Sequence, residues 1–278
     1  MSLMKNSAGP SKRPMKIHLY EDKSAKTLDL KEISRYLSEK LGRVSVDVRE
    51  PLITAHAGGI VGELATRLAD AKIRDPMKKH IAFEPLPSEI NLERKLLDHP
   101  ELSFPGVLYD GLRLMELALE MIPEEERDTG HLHLVFTSRL FGTWDEADAR
   151  YHARVSVYSF PSLISTTGIV EAPAKPKEFY ALKQRYSSLG APVPYEELKE
   201  KFRGRFIDYD DERLTEVMKG YAMQAVFYHI FGEPFCDEIT CRLHNGHWQE
   251  EVIRSQLGPK DSEFCENHYK MLEKFRTS

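Results

Sequence analysis

The spacing of apolar and polar residues in the first part of the chain predicts strands and helices in turn. Met15 to Tyr20 (MKIHLY) alternates and is rich in β-forming residues, which is typical of a strand. Leu30 to Leu41 carries its apolar residues at helical spacing, and Val44 to Val48 (VSVDV) predicts a second strand. Ile60 to Ile73, opened by Gly58-Gly59, predicts a second helix. The order strand, helix, strand, helix indicates an α/β layer.

The rest of the chain mixes predicted strands with a longer series of helices. His131 to Phe136 (HLHLVF), Arg150 to Tyr158 and Thr166 to Glu171 are predicted strands. The proline-rich segment 75–105 predicts an insertion with short elements, and Trp144 to Asp148 predicts a helical turn or loop. Six further segments have helical periodicity: Gly111–Met121, Glu178–Leu189, Tyr195–Phe202, Glu212–Phe231, His247–Leu257 and Ser262–Phe275.

We expect one domain preceded by a tail. Residues 1–14 contain lysines, glycine and prolines but no apolar run, which predicts a disordered tail. No internal repeat, low-complexity tract or linker divides the rest of the sequence. Residues 15–278 are therefore predicted to form a single domain, with a C-terminal lobe from about residue 232 to residue 278.

Composition and charge exclude several classes of partner. The chain of 278 residues is 41% hydrophobic and 30% charged, which is ordinary for a folded soluble protein. Its 39 basic and 44 acidic residues give a net charge of −5, whereas nucleic-acid binding needs a basic surface. No uncharged apolar stretch reaches the roughly 20 residues needed to cross a bilayer. We expect neither a nucleic-acid partner nor a membrane partner.

The cysteines are few and lie close to one end of the sequence. Cys236, Cys241 and Cys265 are the three in the chain. An odd number so placed cannot form a disulfide framework, and this favours a reducing compartment. We therefore expect a cytoplasmic protein.

The spacing of these cysteines predicts a metal site. Cys236-x4-Cys241 is followed, after a longer segment, by Cys265-x2-His268, and two close ligand pairs of this kind can surround a tetrahedral ion. Thiolate and imidazole ligands suit Zn²⁺. His244 is a rival for the fourth position, and three unrelated buried cysteines are the alternative without a metal. We expect one structural zinc per chain, closed by four protein ligands.

The segment around the first two cysteines resembles a known family. Phe227 to Leu243 resembles the zinc-binding region of archaemetzincins, metzincin-like zinc metallopeptidases with the pattern His-Glu-x-x-His-x-x-Gly-x-x-His-Cys-x4-Cys-x-Met and a later cysteine pair for a structural zinc. The whole chain is also similar to archaeal proteins labelled as metallopeptidases. The matching positions are the second histidine (His229), the common Phe-Gly (Phe231 and Gly232), the first cysteine pair (Cys236 and Cys241) and the second pair, with one histidine in place of cysteine (Cys265 and His268).

This resemblance implies a fold and a family. The fold is α/β (α+β), with a metzincin-like mixed twisted sheet, packed helices and a zinc-stabilised C-terminal helical lobe. The family is that of zinc metallopeptidases, whose catalytic helix binds the metal through two histidines and carries a glutamate that acts as the general base.

The departures from the family pattern fall on the catalytic residues. Ala225 stands at the first histidine, Val226 at the general-base glutamate, Phe235 at the third histidine and Leu243 at the methionine. Only His229 is left as a candidate catalytic residue, and one imidazole cannot hold a catalytic zinc. Without a base the metal-bound water is not activated. We expect a protein that is inactive as a peptidase.

Other side chains could form a relocated site. His131 and His133 are two apart on one predicted strand and therefore share a face. A cleft formed by His152, Glu171 and Glu233 beside His229 is a further candidate, because the edge of a metzincin sheet lies next to the active helix. For each of these residues an ordinary hydrogen bond or ion pair is the simpler interpretation.

Three functions remain at this stage. The first is a protein without peptidase activity that keeps the fold and the structural zinc and binds a peptide or protein in the old cleft. The second is a metal-dependent hydrolase or peptidase with rearranged ligands around His229. The third is an interaction protein whose cysteines are only core residues.

Overall fold

A computed structural model describes residues 15–55, 60–258 and 262–277. The predicted tail of residues 1–14 and the Gly58-Gly59 helix start lie outside these residues. The strands are β1 Met15–Tyr20, β2 Val44–Arg49, β3 Leu108–Asp110, β4 His131–Thr137, β5 Leu140–Asp145, β6 Arg150–Arg154, β7 Ser156–Val157 and β8 Ser162–Ser165. The helices are α1 Leu30–Leu41, α2 Leu52–Ala55, α3 Val61–Asp70, α4 Pro87–Asp98, α5 Gly111–Met121, α6 Gly168–Glu171, α7 Lys177–Ser188, α8 Tyr195–Lys201, α9 Leu214–Phe231, α10 Gln249–Leu257 and α11 Glu266–Thr277.

The main sheet is mixed. Its strand order is β2-β1-β4-β8-β7, with the first four strands parallel and β7 antiparallel at one edge. A smaller sheet has the order β3-β5-β6, in which β5 and β6 form an antiparallel hairpin. The prediction of an α/β fold with a mixed sheet is confirmed.

Helices cover both faces of the main sheet, and each face has its own core. Because side chains alternate along a strand, Ile17 and Leu19 of β1 point to one face and Tyr20 to the other. Ile17 and Leu19 pack in a core with α1 and with α9, which crosses that face. Tyr20 packs in a second core with α3 and α5. The sheet is thus buried on both sides, as parallel strands require.

Helix α9 is buried around most of its circumference. It lies against the sheet and contacts α1 and α10, and its residues from Tyr221 to Phe227 are all buried. It ends at Gly232, whose left-handed backbone (φ 77°) favours glycine. Within the residues that the structure describes, no helix is long and apolar enough to cross a membrane.

The prediction of a strand from Thr166 to Glu171 is wrong. The strand there is β8, which ends at Ser165, and Gly168 begins the helical turn α6. The Ser165 hydroxyl accepts a hydrogen bond from the Gly168 backbone N–H (2.7 Å) and so starts the turn. A side chain at Gly168 would meet the Arg154 carbonyl at 2.5 Å. This close approach explains the glycine, and the apolar residues that follow it belong to a helical turn.

The acid-rich segment near Trp144 is part of a hairpin and not only a turn. Trp144 lies in β5, which continues to Asp145 and returns as β6. The Asp145 carboxylate accepts from the N–H groups of Ala147 and Asp148 and so forms the turn. The predicted strand Arg150–Tyr158 is divided into β6 and β7, which belong to different sheets.

Candidate metal centre

The first two cysteines lie on a short turn that follows α9. The Cys236 N–H donates to the Leu243 carbonyl (3.0 Å), and the Cys241 N–H donates to the Glu238 carbonyl (3.0 Å). Gly232 ends the helix and lets the chain reverse into this turn. The two thiols are thereby turned toward the same side of the C-terminal lobe.

Cys265 and His268 complete the group from the start of the last helix. Cys265 immediately precedes α11, and His268 is in its first turn. A spacing of three residues places two side chains on one face of a helix start. The Phe227 ring of α9 packs edge-on against the His268 imidazole, with centroids 5.3 Å apart, and fixes its orientation.

The four side chains are arranged around one point. One ligand atom from each of Cys236, Cys241, Cys265 and His268 lies within 4.8 Å of all the others. The Cys236 and Cys265 sulfurs are 3.8 Å apart, and His268 Nδ1 lies 3.7 Å from the Cys241 sulfur and 3.0 Å from the Cys265 sulfur. Zn–S bonds of about 2.3 Å give a tetrahedral edge of about 3.8 Å. The donor set and its spacing therefore fit Zn²⁺.

His244 has a different position. Its ring Nδ1 contacts the backbone carbonyl of Cys236 (3.1 Å), and its backbone N–H donates to the Cys241 carbonyl (2.9 Å). It thus braces the turn that carries two of the thiols, and it is not in the four-membered group.

Burial favours the neutral forms of Cys236, Cys241 and His268. Burial raises the pKa of the Cys236 thiol, and the neighbouring Cys241 and Cys265 sulfurs raise it further. Burial also raises the pKa of Cys241 and lowers that of His268. A bound cation reverses this effect for the thiols, because metal binding drives their deprotonation.

A buried arginine holds the group against the rest of the molecule. The Arg242 guanidinium donates to Glu216 of α9 (2.5 Å) and lies 3.2 Å from Glu263, two residues before Cys265. Glu263 also accepts from the Tyr36 hydroxyl of α1 (2.7 Å). These contacts join both halves of the group to α1 and α9.

The catalytic positions of the family pattern are filled by apolar side chains. Ala225 and Val226 are fully buried within the core between α9 and the sheet. His229 lies one turn further, and its Nε2 contacts the Thr129 carbonyl (2.9 Å). Burial lowers the pKa of His229. Phe235 is 44% exposed.

The residues of the candidate cleft have separate partners. His152 pairs with Asp148 (2.8 Å), and Glu171 accepts from the Tyr209 hydroxyl (2.9 Å). Glu233 is exposed. Among the residues that the structure describes, none of these three joins His229 in a metal-capable group.

The pair His131 and His133 has neighbours that sequence reasoning missed. His18 of β1 and Glu126 come within 4.8 Å of them, again counting one ligand atom from each. The alternation of MKIHLY places His18 on the polar side of its strand, but nothing in the sequence predicts that β1 lies beside β4. Glu126 forms an ion pair with Arg49 (2.6 Å).

A family model agrees with the resemblance drawn from the motif. The family described as "Probable metallopeptidase family (DUF6775)" matches residues 13–275. The crystal structure of archaemetzincin from Methanopyrus kandleri matches with a TM-score of 0.46 and 14% sequence identity, over 97% of this chain and 99% of that chain. None of the curated proteins matches. The predicted membership of a metallopeptidase family is confirmed.

Proposed function

We propose that this chain, which belongs to the probable metallopeptidase family DUF6775, is a member without peptidase activity that keeps one structural zinc in its C-terminal lobe. In this proposal a peptide binds in the groove between β7 and α9. The observation that carries it is the burial of Ala225 and Val226 in the apolar core, at the positions where the resemblance puts a zinc ligand and the general base.

The structural role of the zinc follows from its ligands. Cys236, Cys241, Cys265 and His268 would fill all four positions of a tetrahedral ion, which leaves none for water or substrate. When bound, zinc supplies cross-links between the turn after α9 and the start of α11. Thiolate ligands need reduced cysteines, and the three are free thiols. This favours the cytoplasm as the location.

The absence of peptidase activity follows from the chemistry of α9. A catalytic zinc needs at least three protein ligands, and a carboxylate must take the proton of its water. A buried alanine and a buried valine supply neither group. Of the three histidine positions in the motif only His229 retains a metal-binding side chain, and its ring already contacts the Thr129 carbonyl.

A groove next to α9 supports peptide binding. A cavity of about 410 Å³ lies between β7 and α9 and is lined by, among others, Val157, Tyr158, Tyr228 and Phe235. Within the described residues β7 is an edge strand of the main sheet, so an extended peptide can pair with its backbone. Tyr228 and Phe235 are 37% and 44% exposed and offer aromatic surface to side chains of such a peptide.

One experiment tests the zinc and the lack of peptidase activity together. Zinc per chain is measured on protein purified without added metal, in wild type and in Cys236→Ser, and both are incubated with a mixture of unstructured peptides analysed by mass spectrometry. We expect Cys236→Ser to contain one zinc per chain less than wild type, and we expect neither protein to cleave any peptide. Cleavage that stops with a chelator and with His229→Ala would refute the proposal and favour a hydrolase around His229.

A second experiment tests the groove. Affinity selection from a library of short unstructured peptides is repeated with Tyr228→Ala and Phe235→Ala, with Tyr195→Ala as the matched control because Tyr195 is similarly exposed (46%) on α8. We expect the two groove variants to lose the selected peptides and the control to keep them. Equal selection by all variants would exclude this groove as the binding site.

We also propose a single domain for residues 15–278, with the zinc-tied lobe beginning at about residue 232. It is supported by the core between α1, α9 and the sheet, which includes Leu243, Phe264 and Leu272 of the lobe.

A further inference from the structure

A second group of metal-capable side chains lies on the sheet face opposite α9. On β1, His18 lies between Ile17 and Leu19, which pack toward α9. On β4, His131 and His133 alternate with Leu132 and Leu134, which also pack toward α9. The three imidazoles therefore share the other face. Strands β1 and β4 are adjacent, and their register puts His18 directly beside His133.

We propose that His18, His131 and His133, with Glu126, bind a divalent transition metal, Zn²⁺ first, separately from the cysteine site. One ligand atom from each of the four lies within 4.8 Å of all the others. His18 Nε2 and His131 Nδ1 are 2.9 Å apart. With Zn–N bonds of about 2.1 Å, two ligands of one tetrahedral ion are about 3.4 Å apart, so a small opening of this pair admits the ion.

A carboxylate orients His18 for this role. His18 donates from Nδ1 to the Asp47 carboxylate (2.5 Å), so the lone pair is on Nε2, which points at His131. A carboxylate on the far nitrogen of a ligating histidine is a common arrangement in metal sites, because it fixes the ring and strengthens the ligand. The His18 side chain is 3% exposed, so its orientation is fixed by packing as well.

His133 is fixed in a similar way. It is fully buried, its Nε2 donates to the Glu126 backbone carbonyl (3.2 Å), and its Nδ1 accepts from the Tyr20 hydroxyl (3.0 Å). The lone pair on His133 Nδ1 thus contacts only the Tyr20 hydroxyl. A cation that takes the place of this hydroxyl breaks one hydrogen bond. His131 is partly exposed, so its ring can turn from hydrogen-bond donor to ligand.

The charges around the group suit a cation. Asp47 and Glu126 bring two carboxylates, and Arg49 is the cation that contacts both of them (2.8 and 2.6 Å). One negative charge is left to offset a divalent ion. Imidazole nitrogen with one carboxylate is a donor set preferred by zinc and neighbouring transition metals and not by Ca²⁺ or Mg²⁺.

The test is zinc stoichiometry in the full chain. Wild type, His131→Ala and His131→Asn are stripped with a chelator, reloaded with excess Zn²⁺ and passed through gel filtration before zinc is counted. His99→Ala is the matched control, because His99 also pairs with a carboxylate, Glu101, but lies outside the group. We expect two zincs per chain in wild type and control, and one in both His131 variants. The same zinc content in wild type and the His131 variants overturns the proposal.

Loading with Co²⁺ identifies which site a variant has lost. Cobalt bound by cysteine gives intense thiolate charge-transfer absorption, whereas cobalt bound by imidazole and carboxylate gives only weak visible bands. The wild-type minus His131→Ala difference spectrum should contain the weak bands alone. The spectrum of the variant itself should retain the thiolate charge-transfer absorption, which shows that the variant is folded. A difference spectrum dominated by charge transfer would mean that the substitution disturbed the cysteine site, and this also overturns the proposal.

Discussion

At the residue scale, His268 and His244 both lie close to the thiols but make different contacts. His268 directs Nδ1 at the Cys241 and Cys265 sulfurs, while His244 directs Nδ1 at a backbone carbonyl. His268→Ala should therefore lose the zinc of the cysteine site. His268→Cys should retain it because thiolate replaces imidazole in such sites, and His244→Ala should keep full stoichiometry. Zinc counted per chain checks this, and loss of zinc in His244→Ala but not in His268→Ala would reverse the assignment.

The buried carboxylate of Glu93 is the counter-ion of two cations, also at the residue scale. Its side chain is fully buried and contacts Lys72 (2.8 Å) and Arg139 (2.5 Å), both of which are also largely buried. Glu93→Gln leaves these two cations without their counter-ion and should lower the free energy of unfolding by about 3–5 kcal/mol at pH 7. Glu120→Gln, which breaks a surface pair with Arg67, should cost under about 1 kcal/mol. Urea denaturation of both variants measures the difference.

The effect of Glu93 should depend on pH. Burial opposes its charge, but Arg139 and Lys72 outweigh burial and leave the pKa of Glu93 below its usual value. A group with a lowered folded-state pKa stabilises the protein above its unfolded pKa of about 4.3, and this contribution is lost as the pH falls through the folded value. The stability gap between wild type and Glu93→Gln should therefore narrow below about pH 4. A gap that widens on acidification would contradict this assignment of charge.

At the element scale, α9 and α10 approach each other at Gly220. A Cβ there would lie 1.8 Å from Gln256 Oε1, and Gln256 is held in place because its Nε2 donates to the Arg242 carbonyl (2.9 Å). Gly220→Ala should therefore destabilise the protein by about 1–3 kcal/mol, although alanine is the better helix former. Gly62→Ala in α3, where the nearest atom is 3.7 Å away, should be neutral or stabilising. Thermal unfolding of both variants tests the contrast.

The periodicity of apolar residues was sufficient to predict the bounds of helices that have one buried and one exposed side. Leu30–Leu41 and Gly111–Met121 are helices with the predicted bounds, because each buries one stripe. A helix, α4, forms inside the proline-rich segment. Pro87 is compatible with it because it occupies the first turn, where the missing N–H removes no intrahelical hydrogen bond. Spacing indicated that the three cysteines share a site with one histidine, but it left His268 and His244 as rivals for the fourth position. The pairing of β1 with β4 depends on long-range contacts, so His18 could not be placed beside His131 from local patterns.

At the scale of the whole molecule, the proposed zinc joins the end of the chain to its centre. Helix α11 contacts α1, and the Arg276 guanidinium donates to the Glu39 carbonyl (2.6 Å). Most residues of α11 are exposed, so its docking depends on few apolar contacts and on the metal. Removal of zinc should release α11 before the sheet unfolds. In hydrogen exchange, a chelator should expose the amides of α11 and leave those of β1 and β4 protected; equal loss of protection in all three would contradict this order.

The most direct test of the central claim is anomalous diffraction at the zinc edge from crystals of protein purified without added metal. Our account predicts a strong peak bonded to the three cysteine sulfurs and His268 Nδ1, and no peak beside His229 on α9. A peak at His229 with none among the cysteines would contradict it.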